Sequence, residues 1–250
     1  MKSILNTCYI ADGLEAHKLD VYLPEGEIKG GIVWFYGGGL KAGKRTDNAF
    51  LADNLTEKGY ALVLPSYRLM PENAYPDFIY DAAFAVKKAK EMLGGIKLIV
   101  GGSSAGAYLS MMLCFAPEYL KAAGMEINEV DGWFFNSAQP TNHYNILEHS
   151  GLDTRRVIID ESAPIWHIMD EKPDVPMYIL CADNDMPSRR TQNILAYETL
   201  LRFGHSAEKV VFETINGFGH CGYDWKTEAD GHYYLENRIY KLMEMIGGCE

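Results

Sequence analysis

The run Ile96-Lys97-Leu98-Ile99-Val100-Gly101-Gly102-Ser103-Ser104-Ala105-Gly106 constrains this chain more than any other. An apolar stretch of strand length enters the pattern G-x-S-x-G and leaves, almost without a loop, into a segment of helical character from Ala105 to Phe115. A serine at such a turn sits in a strained backbone conformation. Small flanking residues are needed where a side chain would collide, and the helix N-terminus favours negative charge developing beside it. Gly102 and Gly106 supply that freedom around Ser104. In the competing register Ser103 is central, but Ala105 then replaces the second glycine, so Ser104 is preferred. By itself the segment also fits a glycine-rich turn with a capping serine.

The rest of the chain alternates apolar strand-like runs with amphipathic helical stretches, the pattern of an α/β fold with a mostly parallel sheet. Strands are expected at Leu19–Leu23, Gly31–Tyr36, Tyr60–Leu64, Ile96–Gly101, Gly132–Asn136, Met177–Cys181 and Lys209–Ile215. Helices are expected near Asn48–Lys58, Tyr75–Met92, Ala105–Phe115, Ser188–Phe203 and Glu228–Met245. Runs that are nearly wholly apolar suit strands buried on both faces. Residues 137–176 break the pattern with weak periodicity and with Pro140, Pro164 and Pro173, and read as an excursion with short helices that forms a substrate wall or partial lid. A length of 250 residues fits one large domain or two small ones. Without a linker or repeat, residues 1–250 are expected to form a single domain of about eight strands.

A serine hydroxyl needs a base, and the base needs an acid to hold its tautomer. In chains of this architecture those partners follow the serine in the order acid, histidine. Of seven histidines, His220 stands out in Asn216-Gly217-Phe218-Gly219-His220, a glycine-rich stretch between the last strand and the closing helix. His205 falls at a helix-to-strand turn, His143, His149 and His167 in the excursion, His17 in an early hairpin and His232 inside the final helix. The strand Met177–Cys181 runs into Ala182-Asp183-Asn184-Asp185, which offers two acids. Asp185 is preferred, because Asp183 is suited to capping the loop through its own backbone. Three glycines after Trp34-Phe35-Tyr36 can expose N–H groups to an oxyanion, which makes Gly38, Gly39 and Ala105 the expected donors. Cys221 beside His220 reads as a packing thiol, since sequence neighbours rarely face each other as nucleophile and base require. Tyr223 and Trp225 either wall the site or pack the final helix.

Composition narrows the partners. The net charge of −11, with no Lys or Arg run, disfavours phosphate backbones and anionic membranes. No apolar run reaches the roughly 18–20 residues of a membrane span, and no secretory signal is visible at the N-terminus, so a cytoplasmic location is expected. The five cysteines, Cys8, Cys114, Cys181, Cys221 and Cys249, form no C-x-x-C pair and suit reduced thiols better than disulfides or zinc.

On these motifs the chain resembles the α/β-hydrolases of the carboxylesterase and acetyl-esterase group, with its hormone-sensitive-lipase-like and feruloyl-esterase-like families. Leu19-Asp20-Val21-Tyr22-Leu23-Pro24 is similar to the entry strand of that group. Ser66-Tyr67-Arg68-Leu69-Met70-Pro71-Glu72, followed by Tyr75-Pro76 and Asp81-Ala82, is similar to its Y-R-L-x-P-E segment. The resemblance implies Ser104 as nucleophile, His220 as base, Asp185 as acid and Gly38, Gly39 and Ala105 as oxyanion donors. It implies hydrolysis of small-acyl carboxylic esters through an acyl-enzyme, with no cofactor or metal and a small-molecule ester as the partner. Oligomerisation is left open. Tyr36 departs from the family's H-G-G-G, where histidine is usual, and Ala182 from its G-x-x-D. The N-terminal part is too short for a large cap. An amide-cleaving hydrolase, such as an arylformamidase or peptidase, and a catalytically silent binding protein are the rival readings.

Overall fold

The computed structural model describes residues 1–169 and 173–247. One eight-stranded sheet runs through them: β1 Lys2–Cys8, β2 Lys18–Leu23, β3 Gly30–Phe35, β4 Tyr60–Pro65, β5 Leu98–Ser103, β6 Gly132–Asn136, β7 Met177–Asn184 and β8 Val210–Gly219. The strand order is β1-β2-β4-β3-β5-β6-β7-β8. The first two pairings are antiparallel and all others are parallel. The helices are α1 Ala52–Glu57, α2 Asp77–Leu93, α3 Ala105–Phe115, α4 Glu118–Ala122, α5 Tyr144–His149, α6 Arg189–Arg202 and α7 Tyr234–Gly247.

Alternation within β3 builds the two cores. Val33 and Phe35 pack on one face with Ala82 and Val86 of α2, Leu109 and Met112 of α3, and Leu200 of α6. Ile32 and Trp34 pack on the other with Leu55 of α1 and Leu235, Ile239 and Leu242 of α7. Every residue of β3, β5 and β6 is buried, as strands covered on both faces demand. Among the described residues, no helix is long and apolar enough to cross a membrane.

Several elements differ from expectation. β1 was unforeseen because six of its seven residues are exposed and its polar alternation carries no buried run. The final helix starts at Tyr234, not near Glu228. A bridge between Thr227 and Tyr233 and a turn at Gly231, with φ of 85°, hold residues 227–233 out of the helix, so His232 precedes it. The stretch around Asn48 is a 3-10 turn, Arg45–Leu51, leading into α1. β8 continues through residues 216–219 and pairs with β7 past an irregularity between Ala182 and Asn184, so the glycine-rich stretch before His220 is strand rather than loop.

The excursion is packed down. It carries α5 and a 3-10 turn, Pro164–His167. The Tyr108 hydroxyl of α3 donates to the Ser162 carbonyl at 2.7 Å, and Thr141, Asn142, His143 and Asn145 are buried. Cys249 lies outside the described residues, as does part of the excursion.

Candidate active site

Ser104 stands alone between β5 and α3 with φ of 55° and ψ of −112°, a conformation that costs a non-glycine residue about 1–3 kcal/mol unless its surroundings enforce it. They do. Its N–H donates to the Asn136 carbonyl of β6 at 2.7 Å, and its carbonyl accepts from Tyr108 N–H in α3. The sharp turn brings α3 hard against β3: a Cβ on Gly106 would fall 2.0 Å from the Phe35 carbonyl oxygen. Only glycine allows that approach.

The carboxyl ends of three parallel strands then converge. The His220 Nε2 lies 2.7 Å from Ser104 Oγ, and His220 Nδ1 lies 2.5 Å from Asp185 Oδ1. The second oxygen of Asp185 accepts from Ser137 Oγ at 2.7 Å, and Oδ1 also accepts from the Met186 N–H. Burial works against the charge on Asp185. The hydrogen bonds from His220, Ser137 and Met186 outweigh it and hold the carboxyl below its ordinary range.

The neighbouring alternatives point elsewhere. Ser103 Oγ turns away and donates to Asp224 at 2.9 Å. Asp183 is exposed and accepts from the N–H groups of Gly217 and Phe218, so it ties β7 to the stretch leading to His220. Cys221 Sγ is 3.9 Å from His220 Nε2, farther than Ser104, and burial pushes its thiol well above the usual range, which keeps it protonated. Tyr223 is buried against Phe218, whereas Trp225 is exposed and meets Phe50 edge-on.

The loop after β3 reaches the serine: a Cβ on Gly37 would sit 3.2 Å from that of Ser104. Gly38 and Gly39 have φ of 117° and 66°. Their carbonyls are engaged, that of Gly38 by Lys41 and Ala42 N–H and that of Gly39 by the Asn145 side-chain amide. The N–H groups of Gly38, Gly39 and Ala105 donate to no group among the described residues. Tyr36 underlies this loop. Its ring stacks on Tyr67 with centroids 4.3 Å apart, and Tyr67 donates to its carbonyl at 2.8 Å. An aromatic pair thus occupies the place where histidine is usual in the H-G-G-G pattern.

One layer was not anticipated. Asn136 donates to Asp224 at 2.8 Å and to Ser103 at 2.9 Å, and accepts from the Tyr223 hydroxyl at 2.6 Å. That hydroxyl is 3.2 Å from Ser137 Oγ, which bonds Asp185. A buried polar chain therefore runs from Asp224 to the acid beside His220. Asp224 has no cation in it, and burial pushes its carboxyl up to about 7. Only Tyr223 and Asp224 following His220 hinted at it. Among the described residues, no group of three or more His, Cys, Asp or Glu side chains is placed to hold a metal ion.

A mostly parallel sheet in this order, with a serine on the turn from β5 to α3, defines the α/β-hydrolase class. The BD-FAE family model matches residues 19–151, more than half of the chain. The chain belongs to that family, and with it to the carboxylic ester hydrolases. Solved structures of similar fold include a truncated carbohydrate esterase from gut microbiota, 20% identical over 99% of this chain and 97% of its own, with a TM-score of 0.76. Esterase B from Lactobacillus rhamnosis is 14% identical, covers 98% of this chain and 87% of its own, and has a TM-score of 0.78. A propionate-bound esterase from Thermogutta terrifontis is 18% identical over 96% and 93%, with a TM-score of 0.73.

Proposed function

We propose that this protein hydrolyses esters of small acyl groups through a covalent intermediate on Ser104. The observation carrying this reading is the unbroken chain from Ser104 Oγ to His220 Nε2 at 2.7 Å and from Nδ1 to Asp185 at 2.5 Å. In that reading Ser104 Oγ attacks the carbonyl carbon as its proton passes to Nε2. The Asp185 carboxylate, kept ionised by its hydrogen bonds, stabilises the imidazolium. The oxyanion takes hydrogen bonds from Gly38, Gly39 and Ala105, whose N–H groups are otherwise unengaged. Collapse breaks the ester C–O bond, and the imidazolium proton goes to the leaving alkoxide. Water then attacks the acyl carbon with His220 as base and restores the serine.

The test is turnover of 4-nitrophenyl acetate with labelling by a fluorophosphonate. A folded Ser104→Ala variant is expected to lose at least about a thousandfold in kcat and all labelling. Asp185→Asn should lose far more activity than Asp183→Asn. Wild-type turnover by Ser104→Ala removes the nucleophile assignment, and equal losses in the two aspartate variants remove the choice of acid.

A further inference from the structure

A cleft of about 270 Å³ opens beside the triad, between the excursion and the start of α6, lined in part by Gln139, Tyr144, Arg155, Arg156, Arg189 and Gln192. It touches the site on two sides. Tyr144 stands against Gly39, and Met186, also in the lining, donates its N–H to Asp185. On a chain with a net charge of −11, three arginines line this cleft and, among the described residues, no Asp or Glu does.

Charge counting separates the three. Arg155 is clamped on Asp153 by three hydrogen bonds and is neutralised there. Arg189 is 3% exposed and donates to the Ser137 carbonyl and the Gln139 side chain. The charge that compensates it is Asp185, reached through Ser137. Arg156 makes no ion pair within 4 Å among the described residues. The cleft thus holds roughly one unspent positive charge, flanked by two side-chain amides and by the positive end of α6, where the Ser188 side chain does not cap the helix. A flat fork of N–H donors with one net charge matches a monoanionic carboxylate better than a dianionic phosphate.

We propose that this cleft is the subsite for a carboxylate on the substrate, so that the esters turned over best carry one negative charge a cleft's length from the scissile carbonyl. The inference rests on the esterase reading for its consequence in turnover, but binding can be measured apart from turnover.

Two matched pairs place the charge on either side of the ester: 4-acetoxybenzoate against methyl 4-acetoxybenzoate, and the 4-nitrophenyl half-ester of adipate against its methyl ester. In one pair at least, the charged member should have the higher kcat/KM. Arg156→Gln should lower that preference about two- to fivefold, the scale of one charge pair at an exposed side chain, and leave the neutral member unchanged. Raised sodium chloride should erode it as well. In parallel, calorimetry on Ser104→Ala should show 4-acetamidobenzoate binding more tightly than its methyl ester, with the difference lost in the Ser104→Ala, Arg156→Gln double variant. No charged preference in either pair, or a preference that survives Arg156→Gln, overturns the subsite and leaves the esterase reading standing. Ester turnover that does not need Ser104 overturns the esterase reading, and the calorimetry then decides the subsite alone.

Discussion

At the residue scale, Asp224 is the clearest case of chemistry hidden from a linear reading. Its partners, Ser103 and Asn136, lie 121 and 88 positions away, and no local pattern joins them. Ser104, by contrast, carries its context with it, because the flanking glycines are dictated by the turn itself. The carboxyl of Asp224 also gives a pH signature. Unfolded, it loses its proton near the ordinary value; folded, it keeps the proton up to about 7. The native state therefore binds more protons between those limits. Stability falls as pH rises from about 4 to about 7, by up to a few kcal/mol for this group. Asp224→Asn keeps the shape and removes the titration. Between pH 5 and pH 8 its melting temperature should fall several degrees less than that of the wild type. Parallel profiles would mean that Asp224 does not titrate in this range.

At the element scale, period and composition carried most of the reading. The limits of α3 and β6 agree with expectation, since each is a dense apolar run closed by residues that cannot continue it. The failures share a cause: β1 and the true start of α7 are set by pairing partners rather than by local pattern. The fit of α3 on β3 is correspondingly unforgiving. Gly106→Ala places a methyl 2.0 Å from a backbone oxygen that cannot swing aside. It should cost several kcal/mol, on the scale of other overpacked cores, and be visible in urea unfolding. Gly26→Ala, which meets nothing within 4 Å and, like Gly106, is not in the positive-φ region, serves as the comparison for the methyl alone. Equal losses at the two sites would show that α3 can slide.

At the scale of the whole molecule, the sheet is graded from edge to centre. β3, β5 and β6 are wholly buried and hydrogen-bonded on both sides, whereas β1 is an exposed edge with an irregular register. Amide hydrogen exchange should reflect that grading, with β1 opening orders of magnitude faster than β3 and β5. Uniform protection across the sheet would contradict it. The one-sheet α/β class was legible because the alternation of elements persists over nearly the whole length. The order in which the strands lie side by side, with β4 between β2 and β3, was not read from it.

The placement of His220 at the end of β8 has a consequence for synthesis. β8 is the last strand in chain order and lies at the far rim of the sheet. The partners that shape Ser104, namely β3, β5 and β6, all leave the ribosome before it. A growing chain can therefore carry a fully bent serine turn while still lacking His220, the base in the proposed mechanism. Under that mechanism, hydrolysis becomes possible only when the last strand docks on β7, so the onset of turnover is a clock for completion of the sheet.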